Sequence, residues 1–303
     1  MADLIATKMK VRIISPSGAV DPQRVEQSVS VLANWGWQVS EGQFTRTRCG
    51  RFAATQEQRL QDLIEALSSD ADVVLCSRGG YGLQQLIDRI PSSLATDEMP
   101  LIVGFSDITL LHQFCAVNGR PSLHGMMCRQ NEANANREDV LLWKQAVEGK
   151  EITYRLPPHP LNRHGEIKGR MTGGNLSVLY GLQATPWSIN KVIERAAEPV
   201  ILFLEDVGER HYHIDRMMRN LRMSGVLSRI SGLVVGQLTD CEDDEGMGQT
   251  ILETIFDAVS DYSYPVFFGF PAGHDEMNFP LPLNTPCTMQ IDENGLYLHF
   301  KAR

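Results

Sequence analysis

Short apolar runs alternate with stretches in which apolar residues recur every three to four positions, and this pattern dominates the first half of the chain. The short runs predict buried strands, and the three-to-four spacing predicts amphipathic helices. Strands are predicted at 11–14, 37–39, 72–76 and 101–103, and helices at 22–35, 56–67, 83–90 and 108–115. Four strand–helix alternations favour an α/β fold with a mostly parallel sheet and helices on both faces.

A proline-rich segment without periodicity, 154–160, separates this half from a second one. Beyond it the pattern predicts strands at 200–205, 232–235 and 265–268, helices at 214–221 and 251–259, and a hairpin over 288–300. A length of 303 residues exceeds the usual size of one domain. We therefore expect an N-terminal domain over 1–152, a linker over 153–168 and a smaller α/β domain over 169–303.

Ser106 lies at the sharpest of the predicted strand-to-helix junctions. The apolar run 101–103 ends at Gly104, and the helical pattern resumes at Ile108. A nucleophilic serine on such a turn is lifted above the edge of the sheet, next to helix N–H groups that can hold an oxyanion. Serine is also a preferred N-cap residue. Ser106 is therefore either a nucleophile or a helix cap.

Composition narrows the possible partners. The formal charge of −9 argues against nucleic acid and anionic membranes, which need a basic face. The six cysteines contain no C-x-x-C pair, so neither a disulfide framework nor a zinc site is predicted. No signal peptide and no run of about 18 apolar residues is present, and we expect a cytoplasmic protein.

A serine nucleophile needs a base, and the base needs an acid that orients it. His274 follows a predicted strand and a Pro-Ala-Gly turn, which suits a site, and His124 is the other candidate among eight histidines. Glu205 ends the most apolar strand of the second half and is followed by Asp206. The pair marks either a buried functional carboxylate or the point where the strand reaches the surface.

The loop Ser77-Arg78-Gly79-Gly80-Tyr81-Gly82 follows a predicted strand and can converge backbone N–H groups on an anion. It matches neither a P-loop nor a full dinucleotide fingerprint. An oxyanion hole fits better, formed by the N–H groups of Gly80 and Asp107. Arg78 either binds a substrate carboxylate or pairs with Asp107 to brace the loop.

Five short motifs, taken in their order along the chain, resemble those of a known protein family. They are the loop 77–82, Gly104-Phe105-Ser106-Asp107, Gly173-Gly174-Asn175-Leu176, Leu204-Glu205-Asp206 and Gly273-His274, followed by Leu281-Pro282-Leu283. Together they resemble the L,D-carboxypeptidase family, the murein tetrapeptide carboxypeptidases, over nearly the whole chain. Asn284, at a place where the family often has glycine, is a departure outside these motifs.

The resemblance implies a triad of Ser106, Glu205 and His274, and an oxyanion hole from Gly80 and Asp107. It also implies a flavodoxin-like N-terminal domain, a homodimer, and no metal or cofactor. The implied reaction is release of the terminal D-alanine from a murein tetrapeptide in peptidoglycan recycling. Arg78, Tyr81 and Asn175 are the predicted substrate contacts.

Two other functions stay open at this point. One is cleavage of acyl-sulfamoyl adenylates by a microcin-resistance relative, which needs an aromatic platform such as Trp187. The other is a non-catalytic binding module in which Ser106 only caps its helix. The α/β-hydrolases carry their serine in a G-x-S-x-G turn. Here Ile108 occupies the position of the second glycine, and this departure disfavours that family.

Overall fold

The computed structural model describes residues 8–303. Its strands are β1 Lys10–Ile14, β2 Gln38–Glu41, β3 Val73–Cys76, β4 Leu101–Gly104, β5 Ser122–His124, β6 Ile152–Leu156, β7 Gly165–Asn175, β8 Val200–Val207, β9 Gly232–Thr239, β10 Val266–Phe268, β11 Leu281–Leu283, β12 Pro286–Asp292 and β13 Gly295–Phe300. Its α-helices are α1 Pro22–Asn34, α2 Gln56–Leu67, α3 Thr109–Val117, α4 Glu138–Val147, α5 Leu176–Gly181, α6 Ile189–Arg195, α7 His211–Met223 and α8 Ile251–Ala258.

The first sheet has the strand order β2-β1-β3-β4-β5-β11. Its first five strands are parallel and follow the flavodoxin-like order, which confirms the predicted fold of this half. In sheets of this kind a ligand site lies at the carboxyl ends of the strands, where the chain leaves β1 and β3 in opposite directions. The loops after β1, β3 and β4 meet at that edge.

The second sheet has the order β10-β9-β8-β7-β12-β13-β6. The strands from β10 to β7 are parallel, whereas β12, β13 and β6 add to β7 in antiparallel order. The predicted terminal hairpin is confirmed as β12 and β13, joined across Asp292 and Gly295. The carboxyl end of β8 is the edge at which Glu205 lies.

The two sheets share one continuous core rather than having only separate ones. A single cluster of buried side chains includes Val103 of β4, Trp143 of α4, Phe203 of β8 and Phe300 of β13. Each sheet also packs a second apolar cluster against its own helices. Because the shared cluster joins both halves, the edges that carry Ser106 and Glu205 are held at a fixed distance from each other.

The segment predicted as a linker contains regular structure. Ile152–Leu156 is an edge strand of the second sheet, paired with β13, and β7 begins at Gly165. In the other direction, Leu281–Leu283 leaves the C-terminal half and pairs with β5 of the first sheet. Short-range patterns missed both pairings because each joins strands that are distant in sequence. Asn284, which follows β11, has a φ of 52°, a conformation that asparagine tolerates nearly as glycine does.

The predicted helix over 83–90 is a set of short 3-10 turns, Leu83–Gln85, Ile87–Arg89 and Ser92–Leu94. Gly82 offers no capping side chain, and Pro91 has no backbone N–H with which to continue a helix. The apolar positions that gave the prediction are nevertheless buried. Within residues 8–303, no helix combines the length and the apolar character that a bilayer span requires.

Candidate active site

Ser106 lies on a strained turn between β4 and α3. Its φ is +64°, a left-handed conformation that serine seldom adopts. A Cβ on Gly104 would lie 2.8 Å from Cγ1 of Ile108, so the turn requires glycine there. Phe105, not Ser106, occupies the N-cap position of the following turn, and no side-chain cap is formed. The interpretation of Ser106 as a helix cap is therefore wrong.

The glycine loop after β3 lies directly against Ser106. A Cβ on Gly79 would be 2.9 Å from Cβ and 3.1 Å from Oγ of Ser106, so only glycine fits. Gly80 follows with a φ of +100°. In the described chain the N–H groups of Gly80 and Asp107 donate to no protein acceptor. These two donors flank the serine and have the character that an oxyanion hole requires.

The carboxylate of Asp107 ties this loop to the turn after β1. Its Oδ2 accepts hydrogen bonds from Ser17 Oγ at 2.7 Å and from the Leu83 N–H at 2.9 Å. Burial raises the pKa of Asp107, while these hydrogen bonds and the charge of Arg59 oppose that rise. Asp107 therefore braces the loop through Ser17 and Leu83, and the predicted alternative of an Arg78–Asp107 pair is wrong.

Arg59 is a residue that the sequence analysis missed. Its guanidinium is buried and donates through Nη1 to the carbonyls of Pro16 at 2.8 Å and Gly82 at 3.0 Å. It thus joins the turn after β1 to the glycine loop. The pattern of α2 gave no signal for this, because one arginine beside an apolar stripe is an ordinary feature of a surface helix. Ser17 was missed for a similar reason, as serines are common in turns.

The predicted base, His274, and the predicted acid, Glu205, belong to the half that contains the second sheet. Nδ1 of His274 lies 2.7 Å from Oε2 of Glu205. Glu205 is fully buried and the His274 side chain is 14% exposed. A carboxylate can only accept, so Nδ1 carries the proton and Nε2 is left as the basic nitrogen. The His274 ring packs edge-on against Phe105, with 4.9 Å between centroids, which places it beside Ser106. No hydrogen bond joins these two described side chains, Ser106 and His274.

Two glycines permit close backbone approaches, Gly174 between the two halves and Gly173 within the second sheet. A Cβ on Gly174 would lie 2.5 Å from Oγ1 of Thr109 in α3, and a Cβ on Gly173 would lie 1.9 Å from the Phe203 carbonyl oxygen. Both have φ near +135°, at 133° and 136°. The Asn175 N–H donates to the same Thr109 Oγ1 at 3.0 Å. This motif therefore lets β7 touch the helix that follows the nucleophile.

The side-chain amide of Asn175 forms hydrogen bonds within the protein through both its oxygen and its nitrogen. Its Oδ1 accepts from the Val178 N–H and caps α5, and its Nδ2 donates to Asp206 Oδ1 at 2.8 Å. Asp206 also accepts from the N–H groups of Ser177 and Val207. Burial and the neighbouring Glu205 raise the pKa of Asp206 to about 7. These contacts give Asn175 a structural role, and they do not support its predicted contact with substrate.

Arg78 and Tyr81 remain at the open side of the glycine loop. Arg78 is exposed, and its Nη1 donates to the Ala19 carbonyl at 2.6 Å. The Tyr81 ring is 41% exposed and lies 5.6 Å from the guanidinium of Arg51. Both side chains are exposed. The structure does not bring them into contact with Ser106.

His124, the other candidate base, lies beneath the site. It is fully buried between the rings of Phe105 and Phe203, and neither ring nitrogen has a hydrogen-bond partner among the described residues. Burial, with His112 and His274 nearby, lowers its pKa well below the usual value. A neutral, unoriented imidazole lacks the acid partner that His274 has. In residues 8–303, no group of three or more His, Cys, Asp or Glu side chains is arranged to hold a metal ion.

Two family models and several relatives match this chain. The LD-carboxypeptidase N-terminal domain model matches residues 11–125, and the C-terminal domain model matches 168–289. A probable murein peptide carboxypeptidase of Bacillus subtilis is 30% identical over 93% of this chain and 89% of its own length. The murein tetrapeptide carboxypeptidase of Pseudomonas aeruginosa is 29% identical over 93% of both chains.

Solved structures share the fold. The muramoyltetrapeptide carboxypeptidase of Oxalobacter formigenes superposes with a TM-score of 0.85 at 25% identity, over 97% of this chain and 99% of that one. A microcin C7 self-immunity protein in complex with aspartyl sulfamoyl adenosine has a TM-score of 0.80 at 19% identity, over 99% and 97%. The second similarity is one of fold alone. With both domain models matched in order along the chain, this protein is a serine-type carboxypeptidase that belongs to the LD-carboxypeptidase family.

Proposed function

We propose that this enzyme releases the terminal D-alanine from murein tetrapeptides, cutting between the L-centre of diaminopimelate and the D-residue. The observation that carries the proposal is the His274–Glu205 hydrogen bond of 2.7 Å, with the His274 ring packed against Phe105, the residue before the strained Ser106. Nucleophile, base and orienting acid are the three parts that acyl transfer by serine requires. The relatives named for murein peptides favour this substrate.

In the proposed reaction, Ser106 Oγ attacks the carbonyl carbon of the scissile bond while His274 Nε2 takes the hydroxyl proton. The carbonyl oxygen becomes an oxyanion that accepts hydrogen bonds from the Gly80 and Asp107 N–H groups. Collapse of this intermediate breaks the C–N bond, and His274 gives its proton to the departing amine of D-alanine. Water then attacks the ester carbonyl while His274 takes its proton, the bond between the carbonyl carbon and Ser106 Oγ breaks, and His274 gives the proton to Ser106 Oγ.

Glu205 serves this cycle by orienting His274. Its carboxylate keeps the proton on Nδ1 and stabilises the imidazolium that forms at each transfer. We propose that the Ser106–His274 hydrogen bond forms when substrate binds, since catalytic contacts of this kind often tighten in the complex. Arg78 and Tyr81 are proposed to contact the remainder of the substrate at the open side of the loop.

The test is incubation of the purified enzyme with the free tetrapeptide, with D-alanine release followed by mass spectrometry. A tetrapeptide ending in L-alanine and the Ser106→Ala variant are the controls. We expect D-alanine only from the wild type with the D-terminated peptide. Equal cleavage of both stereoisomers, or no cleavage of either, would contradict the proposal.

The alternative of acyl-sulfamoyl adenylate cleavage is tested in the same assay with aspartyl sulfamoyl adenosine as substrate. That reaction was expected to use Trp187 as a platform for adenine. In the structure the Trp187 side chain is half-buried against the apolar cluster of the first sheet. This packing leaves less of the indole free for stacking and favours the tetrapeptide.

We further propose that the enzyme works as a homodimer in the cytoplasm, within peptidoglycan recycling. The proposal follows the family resemblance. Light scattering of the purified protein tests the dimer, and cell fractionation tests the compartment. A monomer at micromolar concentration would contradict the first statement.

A further inference from the structure

Arg129 is a cation beside the site that the mechanism above does not use. It follows β5, and its side chain is exposed. Among residues 8–303, no carboxylate lies within 4.0 Å of its guanidinium, whereas neighbouring Arg137 pairs with Asp139 and Glu276. The chain has a formal charge of −9, so an anion is attracted most strongly to an arginine that has no acidic partner.

The position of Arg129 relates it to both the nucleophile and the base. Its Cζ lies 5.7 Å from the centroid of the Phe105 ring, and Phe105 immediately precedes Ser106. Its Nη1 lies 3.4 Å from the carbonyl oxygen of Asp275, which immediately follows His274. The guanidinium therefore rests where the two halves of the site meet, with most of its donors unused by the protein.

The surroundings of Arg129 also favour an anion. Desolvation, with the charges of Arg24 and Arg137 nearby, lowers its pKa from the usual arginine value. A bound carboxylate would relieve this repulsion and would form charge-assisted hydrogen bonds with the planar fork of the guanidinium.

We propose that Arg129 binds the carboxylate of the residue that is released, and so makes the enzyme act at the chain end. This inference rests on the proposed function. It places on Arg129 the task that the sequence analysis gave to Arg78. Arg78 already directs Nη1 to the Ala19 carbonyl at 2.6 Å, and the Cβ built on Gly18 lies 3.8 Å from its Nε, so its stem follows the turn after β1.

The test compares two substrates, the tetrapeptide with a free terminal carboxylate and the same peptide with a terminal amide. For the wild type we expect kcat/KM to be about ten- to a hundredfold higher for the free acid, the range for one charge-assisted contact. In Arg129→Ala the ratio should fall to within about threefold of unity, and Arg129→Lys should restore part of it. Turnover of the free acid by the wild type tests the proposed function separately.

Arg24→Ala is the matched control, because it removes an exposed positive charge near Arg129 without touching Phe105 or Asp275. The acid-to-amide ratio should stay at the wild-type value in this variant. Thermal denaturation of all variants shows whether they are folded. A wild-type ratio retained in folded Arg129→Ala, or lost instead in Arg78→Ala, would overturn the proposal.

Discussion

The proposed nucleophile, Ser106, and the proposed base, His274, are positioned in two different ways. Around Ser106, three loops are joined by several hydrogen bonds, from Ser17 and Leu83 to Asp107 and from Arg59 to the carbonyls of Pro16 and Gly82. On the other side, the His274 imidazole makes one hydrogen bond, to Glu205, and one T-shaped contact with the Phe105 ring.

The difference follows from what each side must do. The oxyanion donors and the strained serine are backbone features, and only a braced backbone can keep them in place before substrate arrives. The imidazole has to exchange protons with two different groups, so a single fixed nitrogen and a small freedom of the ring suffice. We therefore expect the first side to tolerate the loss of one contact and the second side not to.

The largest loss of activity is expected when Ser106 or His274 is replaced, singly or together. Ser106→Ala should lower kcat by at least about 10³-fold, and His274→Ala nearly as much. Because both residues act in one step, the double variant should be scarcely slower than either single variant. His124→Asn is the control and should change mainly stability. Losses of the two single variants that multiply in the double variant would show that they do not share a step.

The second prediction tests the unequal bracing. Glu205→Gln keeps the size of the side chain but removes the charge that fixes Nδ1–H, so kcat should fall by about 10³-fold or more. Ser17→Ala removes one of the hydrogen bonds to Asp107, and the Leu83 N–H still holds that carboxylate. Its kcat should fall by less than about tenfold, because Ser17 lies outside the proposed reaction and the remaining hydrogen bond keeps the loop in place. Similar losses in the two variants would show that the Ser106 side and the His274 side depend equally on single contacts.

The smallest effect concerns Asp206 and appears in stability. Its pKa is raised to about 7 in the folded protein, against about 3.9 in an unfolded chain. Between those values the folded state holds a proton that the unfolded state has released. The contribution of Asp206 to the free energy of unfolding is therefore fully present near pH 4 and is lost as the pH rises towards 7 and above.

Urea denaturation at pH 5, 6, 7 and 8 measures this contribution. The difference in free energy of unfolding between the wild type and Asp206→Asn should shift in favour of the variant as the pH rises. Of these four conditions, pH 5 should give the wild type its highest free energy of unfolding relative to the variant. A difference that does not change over this range would show that Asp206 is ionised in the folded protein throughout.

The sequence predicted most of the fold because local patterns encode it. The apolar runs and helical spacing around β1, β3 and β4 set a parallel sheet, and Asn294-Gly295 marked the last hairpin. What it could not show were pairings between distant segments. The strand Ile152–Leu156 looked like a linker because Pro157 and Pro158 follow it, and its partner β13 is more than 130 residues away.

The residues of the candidate site also divide into those that a local sequence pattern revealed and those that it did not. Ser106 was a candidate because a serine at a sharp strand-to-helix turn suits a nucleophile as well as a helix cap, and the family motifs favoured the nucleophile. Glu205 was a candidate because a carboxylate ended an apolar strand. Arg59 and Arg129 carried no such local contrast, since arginines on helices and in loops are common. Their positions depend on how three loops and two sheets meet, which is a property of the folded chain.

The strand β11 has a consequence for how the molecule is made. Leu281–Leu283 completes the edge of the first sheet beside β5, although the other five strands of that sheet lie before residue 125. While the ribosome is still adding the second half, that edge therefore stays open and offers unpaired backbone groups to other nascent chains. The nucleophile is synthesised early, but its sheet closes only after the histidine has emerged, so no partly made chain has a finished site.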